Sequence, residues 1–466
     1  MITQSLQAQL GEKGLITDPA EMERYLDDPL GRPATLPRMV LRPATTAEVQ
    51  AALRWCHAEG IAVIPQGGLT GLTRAATPHD LENAAIISLA RMTRIRDLDV
   101  AGATMSVDAG AVLGTIRATA EAADMYFPLF HGAVGSSQIG GNLSTNAGGN
   151  NALRYGTARD QVLGLEVVLP DGTLWDGMRA LRKNTAGYDL RQIFIGAEGT
   201  MGIITGAVLK LRPAPRNRAT AFAAVESPAA ALRLLALLAR HLGESIAAFE
   251  LMSEGALASA LTHEGCRYPL ETPSPWAVLI EAETPALRHD LAAALEEGLA
   301  EAFEAALVQD AVIGQSDSQR AALWDLREGI AGALIEDKSC LKSDTAVPVS
   351  QVPAYMENTA RAVAAFMPGI RPVPFGHLGD GNVHFNLLRP ENMTPETFRG
   401  QWHALTVILA EEAIKLGGTL SAEHGIGRLK RPEFETLVDP VALDLMRRLR
   451  RALDPEGRMN PGAVFA

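Results

Sequence analysis

The pattern of hydrophobic and polar positions along the chain differs on the two sides of residue 215. In the first part, short apolar runs separate Gly-rich loops. Two runs have the period of amphipathic helices and the others have the length and apolar content of strands. The predicted helices are 48–60 and 112–123, and the predicted strands are 61–64, 84–90, 104–109, 161–169, 173–176 and 201–211. Pro170-Asp-Gly172 has the composition of a hairpin turn between the strands that flank it.

The Pro-rich, charged stretch Arg212-Pro-Ala-Pro-Arg-Asn217 indicates a domain boundary. After it, long Ala/Leu/Glu segments predict helices at 228–241, 285–305, 317–336 and 394–416, and short apolar runs predict strands at 276–283, 345–349 and 382–388. Such alternation favours a second α+β domain. A helix is predicted near 440–452, and the segment from Ser421 is expected to pack back on the first domain. The predicted domains are therefore 1–215, 216–420 and 421–466.

Composition limits the classes of function. A chain of 466 residues with 47% hydrophobic content has room for two or three cores. The net charge of −12 disfavours nucleic acid as a partner. No apolar run reaches the length of a membrane span, and the first ten residues lack the basic start and apolar core of a signal peptide. The three scattered cysteines fit a reducing, cytoplasmic setting.

Candidate chemistry is concentrated in two Gly-rich stretches, Pro374-Phe-Gly-His-Leu-Gly-Asp-Gly-Asn-Val-His-Phe-Asn386 and Ser421-Ala-Glu-His-Gly-Ile-Gly427. Two imidazoles and a carboxylate, from His377, His384 and Glu423, form a suitable ligand set for a divalent metal with an open position. His424 follows the carboxylate and is placed to act on whatever fills that position. A pair of hydrogen-bonded loop histidines is the plainer alternative.

Glycines also dominate Pro65-Gln-Gly-Gly-Leu-Thr-Gly-Leu72 and residues 132–149. Glycines that follow a strand let backbone N–H groups approach a pyrophosphate. The alternatives are a tight surface loop for the first stretch and a linker for the second. Gly196, Gly199 and Gly202 recur at a spacing of three before a further β-branched run.

With these motifs the chain resembles the FAD-linked family of vanillyl-alcohol oxidase and p-cresol methylhydroxylase. Within that family it is most similar to the group of D-2-hydroxyglutarate dehydrogenase, the FAD-linked D-lactate dehydrogenases and the glycolate oxidase large subunit. The match runs from about Arg42 to Pro461 and includes Gly-Tyr-Asp-Leu at 187–190 and Met-Asn-Pro-Gly at 459–462. The resemblance implies a two-part PCMH-type FAD-binding domain, a ferredoxin-like α+β substrate domain and a C-terminal segment that returns to the FAD domain.

The resemblance also implies roles for individual residues. FAD would be bound by Pro65, Gln66, Gly67, Gly68, Leu69, Thr70, Gly71, Leu72, Gly135, Ser136, Ile139, Gly140, Gly141, Asn142, Ser144, Thr145, Ala147, Gly148, Glu198, Gly199, Gly202, Ile204 and Asn460. His377, His384 and Glu423 would hold zinc or a similar divalent metal. Arg327, Lys342, Asn386 and His424 would meet the substrate, with His424 as the catalytic base.

The activity implied is oxidation of a D-2-hydroxyacid, such as D-2-hydroxyglutarate or D-malate, to the 2-oxoacid by hydride transfer to flavin N5. A D-lactate or glycolate dehydrogenase is the alternative within the family. A metallohydrolase and a non-catalytic oxidase subunit are alternatives from other classes. The expected partners are the small anionic substrate and an electron acceptor such as electron-transfer flavoprotein, a quinone or a cytochrome. A homodimer is one open choice for the assembly.

Two departures from the family pattern matter. Ala331 stands where the family usually has a threonine, four residues after the substrate arginine. Because that threonine would help to hold a substrate carboxylate, the chemical nature of the substrate's distal end is not determined. Residues 65–73 hold no His or Cys, and residues 132–150 hold no Cys, so His131 is the one nearby residue that could bind flavin covalently. The sequence therefore favours non-covalent FAD.

Overall fold

The structure is a computed structural model that describes residues 2–27, 29, 31, 34–263 and 265–466. Met1, the first residue of the segment that lacks signal-peptide character, lies outside these residues. The chain forms two compact units. Unit 1 contains Met1–Gly149, Gly156–Ala214 and Glu423–Ala466, and unit 2 contains Asn150–Tyr155 and Pro215–Ala422.

The strands in chain order are β1 Leu15–Ile16, β2 Met39–Leu41, β3 Ala62–Gln66, β4 Ala84–Ser88, β5 Ile95–Asp99, β6 Thr104–Asp108, β7 Met125–Tyr126, β8 Val162–Val168, β9 Leu174–Gly177, β10 Ile203–Lys210, β11 Arg212–Pro213, β12 Asn217–Val225, β13 Ile246–Ser253, β14 Trp276–Thr284, β15 Asp310–Ile313, β16 Thr345–Ala346, β17 Arg371–His377 and β18 Asn382–Leu388. The α-helices are α1 Ile2–Leu10, α2 Pro19–Met22, α3 Thr46–Ala58, α4 Leu113–Ala122, α5 Ile139–Ser144, α6 Ala152–Tyr155, α7 Arg191–Phe194, α8 Pro228–Leu242, α9 Glu254–Ala260, α10 Leu291–Glu304, α11 Asp317–Glu336, α12 Val352–Phe366, α13 Pro395–Arg399, α14 Trp402–Lys415, α15 Arg431–Leu437 and α16 Pro440–Leu453.

Unit 1 contains two main sheets. One has the order β1-β2-β4-β3, and in it β2, β4 and β3 are parallel. The other is antiparallel with the order β5-β6-β10-β8-β9. The parallel strand β3 ends at Gln66, so the Gly-rich loop 67–72 begins at the carboxyl edge of its sheet. In open α/β sheets this edge is where ligands bind.

Unit 2 is built on a seven-stranded sheet with the order β15-β12-β14-β13-β17-β18-β16. Helices cover both of its faces. On one face, side chains such as Phe249 and Leu251 pack with α8, α10 and α12. On the other face, Met252 and Phe375 pack with α9 and α11. The central strands are therefore buried on both sides.

Most predicted elements are present, with three local corrections. The helix expected at 285–305 begins only at Leu291, after the side chain of Asp290 caps its N-terminus. The helix expected at 394–416 is two helices, α13 and α14, with Gly400 between them. The strand expected at 345–349 has two residues and is followed by Pro348 and a 3-10 turn.

The α+β architecture with two main parts and a returning C-terminal segment is confirmed. Residues 423–466 belong to unit 1 although unit 2 precedes them in the chain. The hairpin at Pro170-Asp-Gly172 is also present, with Gly172 at φ 80° between the paired strands β8 and β9. Among the helices that the structure describes, none combines the length and the apolar content that a membrane crossing needs.

Candidate active site

Unit 1 contains a cleft with an empty volume of about 550 Å³, which includes space open to solvent. That volume is in the range of cofactor and ligand sites. The cleft is lined by Pro65, Gln66, Gly67, Ala75, Ala76, Leu89, Gly140, Gly141, Ser144, Thr145, Glu198, Gly199, Gly202, Ile203 and Ile204. All but Ala75, Ala76, Leu89 and Ile203 belong to the set that the family resemblance assigned to FAD. These four are apolar residues outside the recognised motifs, and nothing in the sequence indicates that they line a cleft.

The glycines near this cleft divide into two groups according to what a Cβ atom would meet. A Cβ on Gly68 would lie 2.1 Å from the Ser136 carbonyl oxygen, and one on Gly140 would lie 2.8 Å from the Ala109 Cβ. The packing of the protein itself therefore requires these glycines. Gly141 is different, because a Cβ there would meet nothing within 4 Å. Open space next to the Gly141 Cα atom, at the lining of the cleft, fits a flat group that lies against the backbone.

At Gly71 and Gly135, too, a Cβ atom would meet nothing within 4 Å. The other residues assigned to FAD are used within the protein or lie beside the cleft. Ile139 is fully buried in the core of unit 1, and Asn142 donates to the Ser137 hydroxyl. Leu69 has a φ of 56°, which makes the loop after β3 turn sharply. Thr70, Leu72, Ser136, Ala147 and Gly148 belong to the same two loops.

Glu198 and Asn460 attach the returning segment to the cleft. The buried Glu198 carboxylate accepts hydrogen bonds from the backbone N–H groups of Ile426 and Gly427, at 2.7 and 2.9 Å. The Asn460 side-chain amide donates to the carbonyl oxygens of Glu198 and Ala75, at 2.7 and 3.0 Å. The amide of Asn460 thus closes the protein around the cleft, while the backbone provides the surface that a flavin would meet.

Burial raises the pKa of Glu198 to about 7, although the two backbone N–H groups oppose this shift. The nearby Arg428, which donates to the Asn460 side-chain oxygen at 2.8 Å, has a pKa lowered by burial to about 10. Even so lowered, the guanidinium is charged at neutral pH and supports the ionised form of Glu198.

Glu423 and His424 begin the returning segment of unit 1. A Cβ on Gly148 would lie 2.9 Å from a Glu423 carboxylate oxygen, so this carboxylate borders the Gly-rich stretch 132–149. The His424 Nε2 atom is 4.0 Å from the other Glu423 oxygen, and both side chains are partly exposed. In the chain, Glu423 directly follows Ala422, whose N–H group donates to the Asp344 carbonyl oxygen within unit 2.

In unit 2, three predicted residues share one face of the sheet. His384 is paired in register with Phe375, the strand neighbour of His377 across Gly376, and Asn386 is paired with Val373. The period of two along β17 and β18 places these side chains on the face covered by α11. The rings of His377 and His384 have centroids 5.7 Å apart. Thus the local part of the sequence prediction, that the two imidazoles converge and that His384 and Asn386 share a face, is what the strands produce.

Each histidine is oriented by a partner at its Nδ1 atom. His377 Nδ1 is 2.7 Å from a Glu250 carboxylate oxygen, and His384 Nδ1 is 3.2 Å from the Ser343 carbonyl oxygen. An acceptor at Nδ1 keeps the hydrogen there, which makes Nε2 the coordinating nitrogen. This is the arrangement of metal-ligating histidines. The donor set in unit 2 therefore fits a divalent metal.

Arg327 on α11 reaches the same face of the sheet. Its Nε atom donates to Glu250 at 2.9 Å, its Nη2 atom lies 3.5 Å from His377 Nε2, and its guanidinium carbon lies 5.2 Å from the Phe375 ring centroid. Arg327 is only 4% exposed. It is thus part of a buried charged cluster and not a solvated surface arginine.

The charges in this cluster shift two pKa values in opposite directions. Burial alone would raise the pKa of Glu250, but the positive charges of His377 and Arg327 outweigh burial and hold it at about 2. Burial alone would lower the pKa of His377, but the Glu250 carboxylate outweighs it and raises the pKa to about 9. A charged His377 cannot accept a hydrogen bond from Arg327, so their 3.5 Å approach is then a contact only. A metal would have to displace the proton of Nε2.

The remaining substrate residues lie around the same strands. The Asn386 side-chain oxygen accepts from the Ser343 N–H group at 2.8 Å, so the amide nitrogen is what Asn386 offers to a ligand. Lys342 is half-buried between Ser343 and Leu341, which bridges to Leu387 on β18. Glu250 was missed by the sequence reasoning. A single carboxylate inside the apolar run Ile246–Ser253 was the signal that could have revealed it.

Two family profiles match the chain. The profile of the FAD binding domain matches residues 37–177, and the profile of the C-terminal domain of FAD linked oxidases matches residues 214–464. Among solved structures, p-cresol methylhydroxylase with substrate bound has a TM-score of 0.76 at 15% identity, covering 99% of this chain and 96% of that one. That similarity shows a PCMH-type fold. Together, the profiles and the fold define a FAD-binding oxidoreductase.

Relatives narrow the family further. A D-2-hydroxyglutarate dehydrogenase of Xanthomonas citri pv. viticola is 36% identical over 99% of this chain and 96% of its own length. A mitochondrial D-2-hydroxyglutarate dehydrogenase of Bos taurus is 37% identical over 96% of this chain and 80% of its own length. The chain belongs to the D-2-hydroxyglutarate dehydrogenase family of FAD-linked oxidases. The resemblance stated from the motifs is confirmed.

Proposed function

We propose that this enzyme oxidises a D-2-hydroxyacid with two carboxylates, of the D-2-hydroxyglutarate or D-malate type, to the corresponding 2-oxoacid. The observation that carries the proposal is the similarity to D-2-hydroxyglutarate dehydrogenases over nearly the full chain. The positive charges of Arg327 and Lys342, in a chain whose net charge is −12, support an anionic substrate. Arg327 would meet a substrate carboxylate through its terminal nitrogens, because its Nε atom is bonded to Glu250.

The proposed cofactors are non-covalent FAD and a divalent metal of the zinc type. FAD would be held by the cleft of unit 1, and the metal by His377, His384 and Glu423. When bound, FAD supplies the acceptor for two electrons and the metal supplies a Lewis acid. Acid precipitation should release the flavin colour into the supernatant. Colour that stays in the pellet would show covalent attachment and would point to His131.

Residues of the protein would accept the substrate proton and orient the substrate. His424 would take the proton of the C2 hydroxyl, since imidazole accepts and releases protons near neutral pH. The amide nitrogen of Asn386 would donate to the substrate. Arg327 and Lys342 would bind its carboxylates, and Ala331 would leave room at the distal end. The three cysteines are free, which fits a reducing compartment, and the cytoplasmic location stays a prediction.

The test is anaerobic mixing of the purified enzyme with D-2-hydroxyglutarate, D-malate, D-lactate and glycolate, with the L-enantiomers of the first three as controls. The flavin absorbance should bleach with one or both D-dicarboxylates and with none of the L-acids. Bleaching by D-lactate or glycolate alone would replace the proposal with the monocarboxylate alternative. A flavin that none of the acids bleaches would contradict the proposed activity altogether.

A further inference from the structure

Glu250 is a buried carboxylate in the middle of the unit 2 sheet. It lies on β13, directly opposite His377 on the antiparallel strand β17. Residues opposite each other in such a pair point to the same face. Glu250 is 1% exposed, and every other residue of β13 except Ser253 is apolar. An ionised carboxylate in such a place is costly unless it is paired and hydrogen-bonded.

The two oxygens of Glu250 have different partners. Oε1 is bonded to His377 Nδ1 at 2.7 Å, and Oε2 is bonded to Arg327 Nε at 2.9 Å. One carboxylate therefore touches both a proposed metal ligand and a proposed substrate residue. His384, in contrast, has a neutral carbonyl oxygen at the corresponding nitrogen. The Nδ1 atom of His377 is therefore bonded to a charged group.

Stability alone does not account for this cluster. Replacing a buried ion pair or triad with apolar residues is often neutral or stabilising. Unit 2 already has apolar neighbours on this face, among them Met252 and Phe375. A positioning role would explain the Glu250 carboxylate. A charged acceptor at His377 Nδ1 makes the other ring nitrogen, Nε2, a better electron-pair donor to a metal.

We propose that Glu250 is the shared positioning residue of this site, which orients His377 Nε2 for a divalent metal and sets the plane of the Arg327 guanidinium for the substrate. This inference rests on the proposed function, since it assumes that His377 is a metal ligand. It adds that metal affinity and substrate binding depend on the same carboxylate.

The variant Glu250→Gln keeps the shape and removes the charge. The matched control is Glu283→Gln on the neighbouring strand β14. Glu283 is also 1% exposed, and it accepts from Tyr155 Oη at 2.8 Å and from Arg218 Nε at 3.1 Å, neither of which belongs to a proposed ligand. Both variants should be checked for flavin content and thermal unfolding before use.

The measurement is the affinity of the metal-stripped flavoprotein for Zn²⁺, in competition with a chromophoric chelator. Glu250→Gln should weaken Zn²⁺ binding by about 10- to 100-fold, as loss of such partners does elsewhere. Glu283→Gln should stay within about twofold of the unmodified chain, because the hydrogen-bond partners of Glu283, Tyr155 and Arg218, are not among the proposed ligands. Glu250→Asp, which retains the charge, should recover part of the loss. For the dicarboxylate substrate, KM should rise in Glu250→Gln even when Zn²⁺ saturates the protein.

Two results would overturn the inference while the proposed function stands. One is Glu250→Gln binding Zn²⁺ as tightly as the unmodified chain. The other is an equal loss in Glu283→Gln, which would make the effect a general property of the sheet. If Glu250→Gln fails to fold, Glu250→Asp is compared with Glu283→Asp, and equal Zn²⁺ affinities overturn the inference. An unmodified chain that binds no Zn²⁺ would instead refute the metal half of the proposed function, and this inference with it.

Discussion

At Glu198, burial and backbone hydrogen bonding act in opposite directions on one carboxylate. Its pKa is raised to about 7 from an ordinary 4.5, so the folded protein holds a proton that the unfolded chain releases. Between these values the folded state binds more protons, and its stability must fall as pH rises. The free energy of unfolding should therefore decline from about pH 4.5 to about pH 7.

The check is urea unfolding across that pH range, with Glu198→Gln as the comparison. Glutamine retains one acceptor oxygen for the Ile426 or the Gly427 N–H group but has no carboxyl proton to lose. Its stability curve should be flatter than that of the unmodified chain over this range. Curves with the same slope would show that another group causes the decline.

At Arg327, the partner matters as much as the arginine itself. Removing one member of a buried pair leaves an uncompensated charge and typically costs about 3–5 kcal/mol. Arg327→Met should therefore destabilise the protein strongly, because Glu250 loses one of its two partners. Glu250→Gln in the same chain removes the unpaired charge.

A double-mutant cycle in urea measures this dependence. The loss in Arg327→Met with Glu250→Gln should be smaller than the sum of the two single losses by about 1–3 kcal/mol, the range of residues in direct contact. Additive losses would mean that the 2.9 Å bond between them contributes nothing to stability. The cycle also separates kinetic effects of Arg327 variants on dicarboxylates from effects on folding.

At the scale of elements, the sequence predicted many helices and strands but missed the 15-residue helix α12. The helix 317–336, predicted from its long Ala/Leu/Glu segment, has the same bounds in the structure, where the Ser316 side chain caps its N-terminus. The strands β12, β13 and β17 were missed. Their side chains pack against helices on both faces of the sheet, so no alternation of apolar and polar residues marks them.

The short helix α5 offers a separate test of the flavin cleft. Gly141 lies in it, and a helix interior normally gains about 0.5–1 kcal/mol when glycine becomes alanine. Gly141→Leu should therefore leave the fold intact but fill the open space above the Cα atom. We expect FAD affinity to fall by at least about tenfold, equivalent to about 1.4 kcal/mol.

Gly132→Leu is the matched control, since Gly132 is exposed, also has open space at its Cα and does not line the cleft. The flavin-to-protein ratio after gel filtration and flavin fluorescence give the affinity of each variant. Equal retention of FAD in both variants would remove Gly141 from the cofactor surface. Loss in both would indicate a general effect of leucine in this Gly-rich stretch.

For the whole molecule, the sequence predicted the candidate site residues that stand in motifs. It did not predict the residues that hydrogen-bond to them. His377, His384, Glu423 and the Gly-rich loops lie in contiguous motifs that can be recognised in the sequence. The hydrogen bonds of Glu250 to His377 and of the Ser343 carbonyl to His384 join residues far apart in sequence, and such contacts exist only once the sheet forms. The same holds for Asn460, whose amide bonds to Glu198 and Ala75 across most of the chain length.

FAD and the proposed metal should be separable, because the residues that would hold them belong to different parts of the chain. The lining of the flavin cleft comes from unit 1 alone, and the two histidines come from unit 2. Chelation should therefore abolish turnover while the flavin absorbance stays with the protein, and Zn²⁺ or Mn²⁺ should restore turnover. His377→Ala should show no restoration, whereas His289→Ala, an exposed histidine, should behave as the unmodified chain. Full activity in metal-free His377→Ala would end the metal proposal. Release of FAD by the chelator would instead mean that the metal and the flavin stabilise each other's binding.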